Sequence, residues 1–159
     1  MVGFQNSSVL SSHFFVSMDP IKSLTVMLID DNETDNLISK SIISNTKLAR
    51  QIVDFTSAAS AKAYLFKNAN EPENLPDIIF LDINMPIVSG IMFLYELDNI
   101  VPQLSKNPAV VILSSFQRDK ETDALISTGK VMRYLTKPLS AEIFSEIVME
   151  LNKTNQKVA

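Results

Sequence analysis

Ile78-Ile79-Phe80-Leu81 is a run of four apolar residues ended by one carboxylate, Asp82. An unbroken apolar run lacks the alternation of a half-exposed strand. It predicts a strand buried on both faces, as in a parallel sheet. Asn84, Pro86 and Gly90 then break the pattern and mark a loop. A single acid is thus presented where a central strand leaves the core. In open parallel sheets that end of the strand is where ligands bind.

The rest of the chain repeats the scheme. Leu24–Ile29 (LTVMLI) is a second buried run and ends in Asp30-Asp31. Residues 33–48 carry Leu37, Ile38, Ile42 and Ile43 among polar residues, which predicts a helix with those four on its buried stripe. Gln51–Phe55 is a short strand with Val53 and Phe55 on one face. Thr56 or Ser57 caps a second helix, whose inner positions are Ala58, Ala61, Leu65 and Ala69. A polar loop over 70–76 leads to the Asp82 strand. Ser89 or Gly90 opens a third helix with Ile91, Leu94 and Leu97 inward. Ala109–Leu113 (AVVIL) is a fourth buried strand, followed by Ser114-Ser115. A helix over 119–128 ends at Gly129. Val131–Leu135 is a fifth strand, followed by Thr136-Lys137-Pro138. Ser140 caps a last helix with Ile143, Phe144, Ile147, Val148 and Leu151 inward.

Strand and helix alternate five times, which predicts an α/β fold with a five-stranded parallel sheet and helices on both faces. The flavodoxin-like order 2-1-3-4-5 suits five strands. Its switch point lies between the first and third strands, the two that end in aspartates. A chain of 159 residues suits one domain. The expected boundaries are a poorly ordered extension over 1–20, the domain over 21–155 and a tail over 156–159. Within the extension, a short helix using Phe14, Phe15 and Met18 is the alternative for the stretch up to Met18.

Composition removes several function classes. The formal charge is −4 and no dense Lys/Arg block is present, which argues against nucleic-acid binding. There are no cysteines and His13 is the only histidine, so thiolate sites, multi-histidine zinc sites and histidine-based triads cannot be built. No apolar run is long enough to span a bilayer. The absence of cysteine fits a reducing compartment, and the expected location is cytoplasmic.

In the proposed order the strand ends bring Asp30, Asp31, Asp82, Ser114 and Lys137 to one crevice. Three carboxylates so close repel one another, and a divalent cation removes the conflict. Only oxygen ligands are offered, which selects a hard ion such as Mg2+. Metal, the Lys137 ammonium and the Ser114 hydroxyl together suit the outer oxygens of a transferring phosphoryl group. One carboxylate then serves as nucleophile and forms an acyl phosphate. Taken singly, each residue has an ordinary structural reading: an Asp-Asp pair caps helices, and Ser and Lys-Pro occur in turns.

The conjunction resembles the receiver domain of two-component response regulators, over about residues 23–153. The motifs that carry the resemblance are Asp30-Asp31, Asp82 within LDINMP followed by Gly90, Ser114 after AVVIL, and Tyr134-Leu135-Thr136-Lys137-Pro138. The resemblance implies Asp82 as phosphoacceptor from a phosphohistidine donor. It implies Asp31, Asp82 and the backbone carbonyl of Asn84 as Mg2+ ligands, with Asp30 acting mostly through a metal-bound water. Ser114 and Lys137 are implied to hold phosphoryl oxygens, and Tyr134 to be a switch aromatic that follows Ser114. A cis peptide before Pro138 is implied as well. The implied partners are a sensor histidine kinase or histidine phosphotransfer protein and an unidentified downstream protein, with no nucleic acid or membrane, the chain being a monomer or weak homodimer. Little chain follows Leu151, so output through a partner surface, or onward passage of phosphate to a phosphotransfer protein, is expected instead of an attached output domain.

Two features depart from the family pattern. Thr128-Gly129-Lys130-Val131-Met132 replaces the usual small-residue run before the fifth strand. Phe116, two residues after Ser114, is bulky, and its side chain is expected to hinder an attacking water.

The competing enzyme reading is a Mg2+-dependent phosphohydrolase with an aspartyl nucleophile. Such enzymes place a second Asp two residues after the nucleophile as general acid. Here that residue is Asn84, which cannot deliver a proton. A flavodoxin-like nucleotide or flavin binder needs a phosphate loop after the first strand, where Asp30-Asp31 would repel phosphate.

Overall fold

The computed structural model describes residues 24–158. The expectations for residues 1–20 therefore lie outside the described residues. The apolar runs form β1 (Leu24–Ile29), β3 (Ile78–Leu81) and β4 (Ala109–Ser114). Between and around them lie β2 (Ala49–Phe55) and β5 (Arg133–Thr136). The five strands are parallel, in the order β2-β1-β3-β4-β5. The helices are α1 (Glu33–Thr46), α2 (Ala58–Lys67), α3 (Gly90–Ile100), α4 (Lys120–Ser127) and α5 (Ala141–Val158). α5 continues into the stretch over 156–159 that the sequence reading sets apart as a tail. A short 3-10 turn, Val101–Gln103, lies in the connection after α3.

Side chains alternate between the two faces of a strand, so each buried run feeds two cores. Met27, Ile29, Ile79 and Leu81 pack with Ala61 and Leu65 of α2, Phe93, Leu94 and Leu97 of α3 and Leu125 of α4. Val26, Leu28, Ile78 and Phe80 pack with Ile43 of α1 and Phe144, Ile147 and Val148 of α5. The Phe80 and Phe144 rings meet at 6.0 Å between centroids, tilted by 45°. At the sheet edge remote from Asp82, Asp77 joins β1 to the chain before β4. Its carboxylate accepts from the Thr25 backbone N–H at 2.8 Å and pairs with Lys106 at 2.8 Å.

The α1 stripe differs from the sequence expectation. Leu37 and Ile38 are 67% and 44% exposed, and the buried positions are Asn36, Ser39 and Ile43. Asn36 sets this rotation. Its Nδ2 donates to the backbone oxygens of Asp30 at 2.9 Å and Phe55 at 3.2 Å. Turning Leu37 inward would strand those contacts, and an unmet buried polar group costs more than an exposed Leu. In α3, Phe93 is fully buried beside Leu94 and Leu97, and Ile91 is only half-buried. Ala69 falls beyond the end of α2, and β5 begins at Arg133, two residues later than expected. α4 ends at Ser127, where Gly129 takes φ +75° and its N–H meets the Ile126 carbonyl at 3.0 Å.

Gly90 fixes how closely α3 approaches β3. Its N–H donates to the Ile83 carbonyl at 3.2 Å. A Cβ here would lie 2.2 Å from the Asp82 carbonyl oxygen and 2.6 Å from the Ile83 Cα, both backbone. Neither can rotate away. Gly90→Ala should therefore lower stability by about 1–3 kcal/mol, the range for overpacking. Gly129→Ala meets no atom within 4 Å and carries only the strain of its positive φ, so its loss should be smaller. Urea denaturation of the two variants against the parent checks the order.

Candidate functional site

The carboxyl edge of the sheet is built from the ends of β1, β3, β4 and β5. Parallel pairing sets the depth of each residue. Ile29 pairs with Leu81, so Asp30 and Asp82 emerge side by side. Ser114 pairs with Thr136, so Lys137 emerges next to the serine. The Lys137 backbone N–H also donates to the Ser114 carbonyl at 2.8 Å. The Lys137–Pro138 peptide is cis.

Asp30, Asp31 and Asp82 each bring one carboxylate oxygen to within 4.8 Å of the others. Asp30 and Asp82 are buried, whereas Asp31 is exposed. Two local turns aim the buried pair. The backbone N–H of Asn32 donates to Asp30 Oδ1 at 2.9 Å, and that of Asn84 donates to Asp82 Oδ1 at 2.9 Å. Each carboxylate thus closes an Asx turn on the loop that follows it. The donor set is oxygen alone, which fits a hard divalent cation.

Lys137 Nζ lies 2.5 Å from Asp30 Oδ2, 2.8 Å from Asp35 Oδ2 and 3.0 Å from Asp82 Oδ2. An ammonium has three protons, and three carboxylates accept them. Burial alone would depress the Lys137 pKa, but its hydrogen bonds to Asp30, Asp35 and Asp82 outweigh that and hold it well above the ordinary lysine value. For Asp30 the balance goes the other way. Burial raises its pKa, with the Asp82 charge adding to the rise, and the bonds from Lys137 and Asn32 offset only part of this.

Ser114 is fully buried. Its Oγ accepts from Asn84 Nδ2 at 2.9 Å and from the Phe116 backbone N–H at 3.2 Å. The Tyr134 hydroxyl donates to the Phe116 carbonyl at 2.8 Å. A hydrogen-bonded path therefore runs from Asp82 through Asn84, Ser114 and Phe116 to Tyr134. The Phe116 side chain is 63% exposed, and its tie to the site is through its backbone.

All the expected residues, Asp30, Asp31, Asp82, Asn84, Ser114, Tyr134 and Lys137, stand at this one edge or on the path leaving it. The sequence reading missed Asp35. It stands in the first turn of α1, where Asn32 Oδ1 caps the helix by accepting from the Thr34 and Asp35 N–H groups. The available signal was its place three residues after Asn32, a residue that caps helices, in the first turn of the helix that follows the Asp30-Asp31 strand end. Asn84 also brings its side-chain amide to the site, beyond the backbone carbonyl expected of it.

The chain matches the response regulator receiver domain over residues 26–149. It is similar to protein-glutamate methylesterase/protein-glutamine glutaminase 1 of Pseudomonas savastanoi pv. phaseolicola, at 28% identity over 119 residues, 75% of this chain and 30% of that protein. It is also similar to the probable C4-dicarboxylate response regulator DctR of Bacillus subtilis, at 28% identity over 142 residues, 86% of this chain and 56% of that protein. The chain thus spans less than two thirds of the length of these relatives. Among solved structures it resembles a two component response regulator from Cytophaga hutchinsonii, with a TM-score of 0.75, 25% identity, and coverage of 83% of this chain and 99% of that one. Sheet order, strand-end residues and family match agree, and the chain belongs to the response regulator receiver domain family.

Proposed function

We propose that this receiver domain accepts a phosphoryl group on Asp82 from a phosphohistidine donor, with Mg2+ bound, and signals through a partner surface. The observation that supports this reading best is the grouping of Asp30, Asp31 and Asp82 beside the Lys137 ammonium. The donor would be a sensor histidine kinase or a histidine phosphotransfer protein. The setting would be the cytoplasm; no helix among the described residues is long and apolar enough to cross a membrane.

Asp31, Asp82 and the Asn84 carbonyl would hold Mg2+, with Asp30 reaching it through water. Bound Mg2+ would supply charge neutralisation for the incoming phosphoryl oxygens. Asp82 is the nucleophile. Its carboxylate oxygen forms the new O–P bond as the phosphorus–nitrogen bond to the donor imidazole breaks, and the imidazole keeps the electron pair. Lys137 donates to the phosphoryl oxygens at Asp82, and the Ser114 hydroxyl donates to another. Asn84 supplies no acid to speed hydrolysis, which favours a held acyl phosphate over the turnover of a phosphohydrolase.

The switch follows from the path beyond Ser114. Moving the serine hydroxyl toward the phosphoryl breaks its bonds with Asn84 Nδ2 and the Phe116 N–H. The Phe116 carbonyl, which holds the Tyr134 hydroxyl, moves with that loop. Phosphorylation thus biases a two-state element by its differential interaction with the two arrangements.

Three outcomes are expected. Treated with a small phosphodonor and Mg2+, the parent should gain one phosphoryl mass and Asp82→Asn none; a full adduct on Asp82→Asn would sink the assignment. Mg2+ should raise the parent's thermal midpoint through mass action, and Asp31→Ala should lose most of that rise. Asp31 is exposed, so its removal should leave metal-free stability within about 0.5 kcal/mol. With a phosphoryl mimic, amide shifts over 119–134 should be large in the parent and shrink in Ser114→Ala. Shifts confined to the loops of Asp31, Asp82 and Lys137 in both proteins would rule out this route.

A further inference from the structure

Asp35 makes a contact that the phosphoacceptor reading does not use. Its Oδ2 lies 2.8 Å from Lys137 Nζ, across 102 residues of sequence, with the lysine side chain 13% exposed. The other two acceptors of that ammonium, Asp30 and Asp82, also belong to the acidic trio that can converge on a cation. Asp35 does not belong to the trio, so it serves the lysine alone.

That division has a consequence once a cation arrives. Mg2+ and the Lys137 ammonium compete for the same carboxylates, Asp30 and Asp82. An ammonium with no other acceptor would stay on those two and oppose the metal. Asp35 offers a carboxylate outside the metal-binding group, on the first turn of α1. Lys137 can release Asp30 and Asp82, keep one strong charge-assisted bond and stay beside the phosphoryl position. The anchor itself is rigid, because Asn32 caps α1 and Asn36 ties it to the ends of β1 and β2.

We propose that Asp35 is a positioning residue for Lys137, giving the ammonium a carboxylate of its own so that Asp30 and Asp82 are free for a divalent cation and phosphoryl transfer. The inference rests on the reading of Asp82 as phosphoacceptor with Mg2+. The competing accounts are that Asp35 is only an acid favoured by the α1 dipole, or that it binds the cation directly.

A double-mutant cycle separates these accounts. The Mg2+ dissociation constant is measured by calorimetric titration in the parent, Asp35→Asn, Lys137→Met and the double variant. The expected result is an increase of about threefold or more for Asp35→Asn with Lys137 present, and less than about twofold in the Lys137→Met background. Asp35→Glu should recover part of the loss. An equal loss in both backgrounds would mean a direct ligand or a through-space charge, and would overturn the assignment. No loss in either would do the same. A second readout avoids Lys137→Met altogether. In metal-free protein, hydrogen exchange at the Lys137 ammonium, followed by side-chain NMR, should quicken in Asp35→Asn; unchanged exchange would overturn the anchor. The two readings fail separately. A parent that binds Mg2+ but gains no phosphoryl mass defeats the phosphoacceptor reading, and the Mg2+ cycle and ammonium exchange still decide Asp35.

Discussion

The electrostatic conflict at the carboxyl edge of the sheet governs this molecule. Asp30 and Asp82 are buried within reach of each other, with Asp31 adjoining. Buried charges of one sign cost several kcal/mol each unless they are compensated. Lys137 provides that compensation with one ammonium and three bonds. The compensation is incomplete, since burial still raises the Asp30 pKa. Asp30, Asp31, Asp35 and Asp82 together face a single ammonium, so the edge remains attractive to a further cation. An edge whose charges fully cancelled would be more stable and would have no use for one.

The fold makes such an edge possible at little cost elsewhere. Parallel strands end in step, so residues far apart in sequence emerge at one depth: Ile29 opposite Leu81, and Ser114 opposite Thr136. Two apolar layers hold the strands rigidly, one under α2, α3 and α4 and one under α1 and α5. Gly90 lets α3 rest on the Asp82 carbonyl, and Asn36 anchors α1 to the ends of β1 and β2. The charged residues therefore sit on backbone that cannot relax away from their mutual repulsion. Rigid support of this kind keeps a reactive site poised.

The sequence made the scaffold readable because its strands are buried on both faces. Runs such as IIFL and AVVIL admit few other readings, and right-handed crossovers leave few strand orders. The strand-end residues were readable for the same reason, since a polar residue directly after such a run must stand at the sheet edge. What escaped were contacts whose geometry depends on helix rotation. Leu37 and Ile38 read as core on hydrophobicity, but a polar tie, Asn36 to two strand-end carbonyls, sets the rotation of α1. The same rotation carries Asp35 to Lys137. A hydrophobic stripe has no means of registering a buried hydrogen bond, so one missed amide hid both the true face of α1 and the fourth carboxylate.

Asn84 joins the two halves of the site. Its backbone N–H holds Asp82 Oδ1 and its side-chain amide holds the Ser114 hydroxyl. The Asn84 N–H can keep Asp82 Oδ1 only while that oxygen stays in place. Any change at Asp82 that turns its carboxylate also disturbs the loop on which the Asn84 amide rides. Under the proposed phosphorylation of Asp82, the serine would lose a partner as new acceptor oxygens came to stand beside it. Loss and gain would then act in the same direction, so a displacement of Ser114 would not depend on the new bond alone. Phe116 is held to Ser114 through its N–H and to Tyr134 through its carbonyl. These two bonds make one peptide segment answer to both the site and β5. The link between the buried acid and the edge strand is therefore short, and at Phe116 it runs through the backbone N–H and carbonyl alone, whose geometry substitution of the exposed Phe116 ring would leave largely intact.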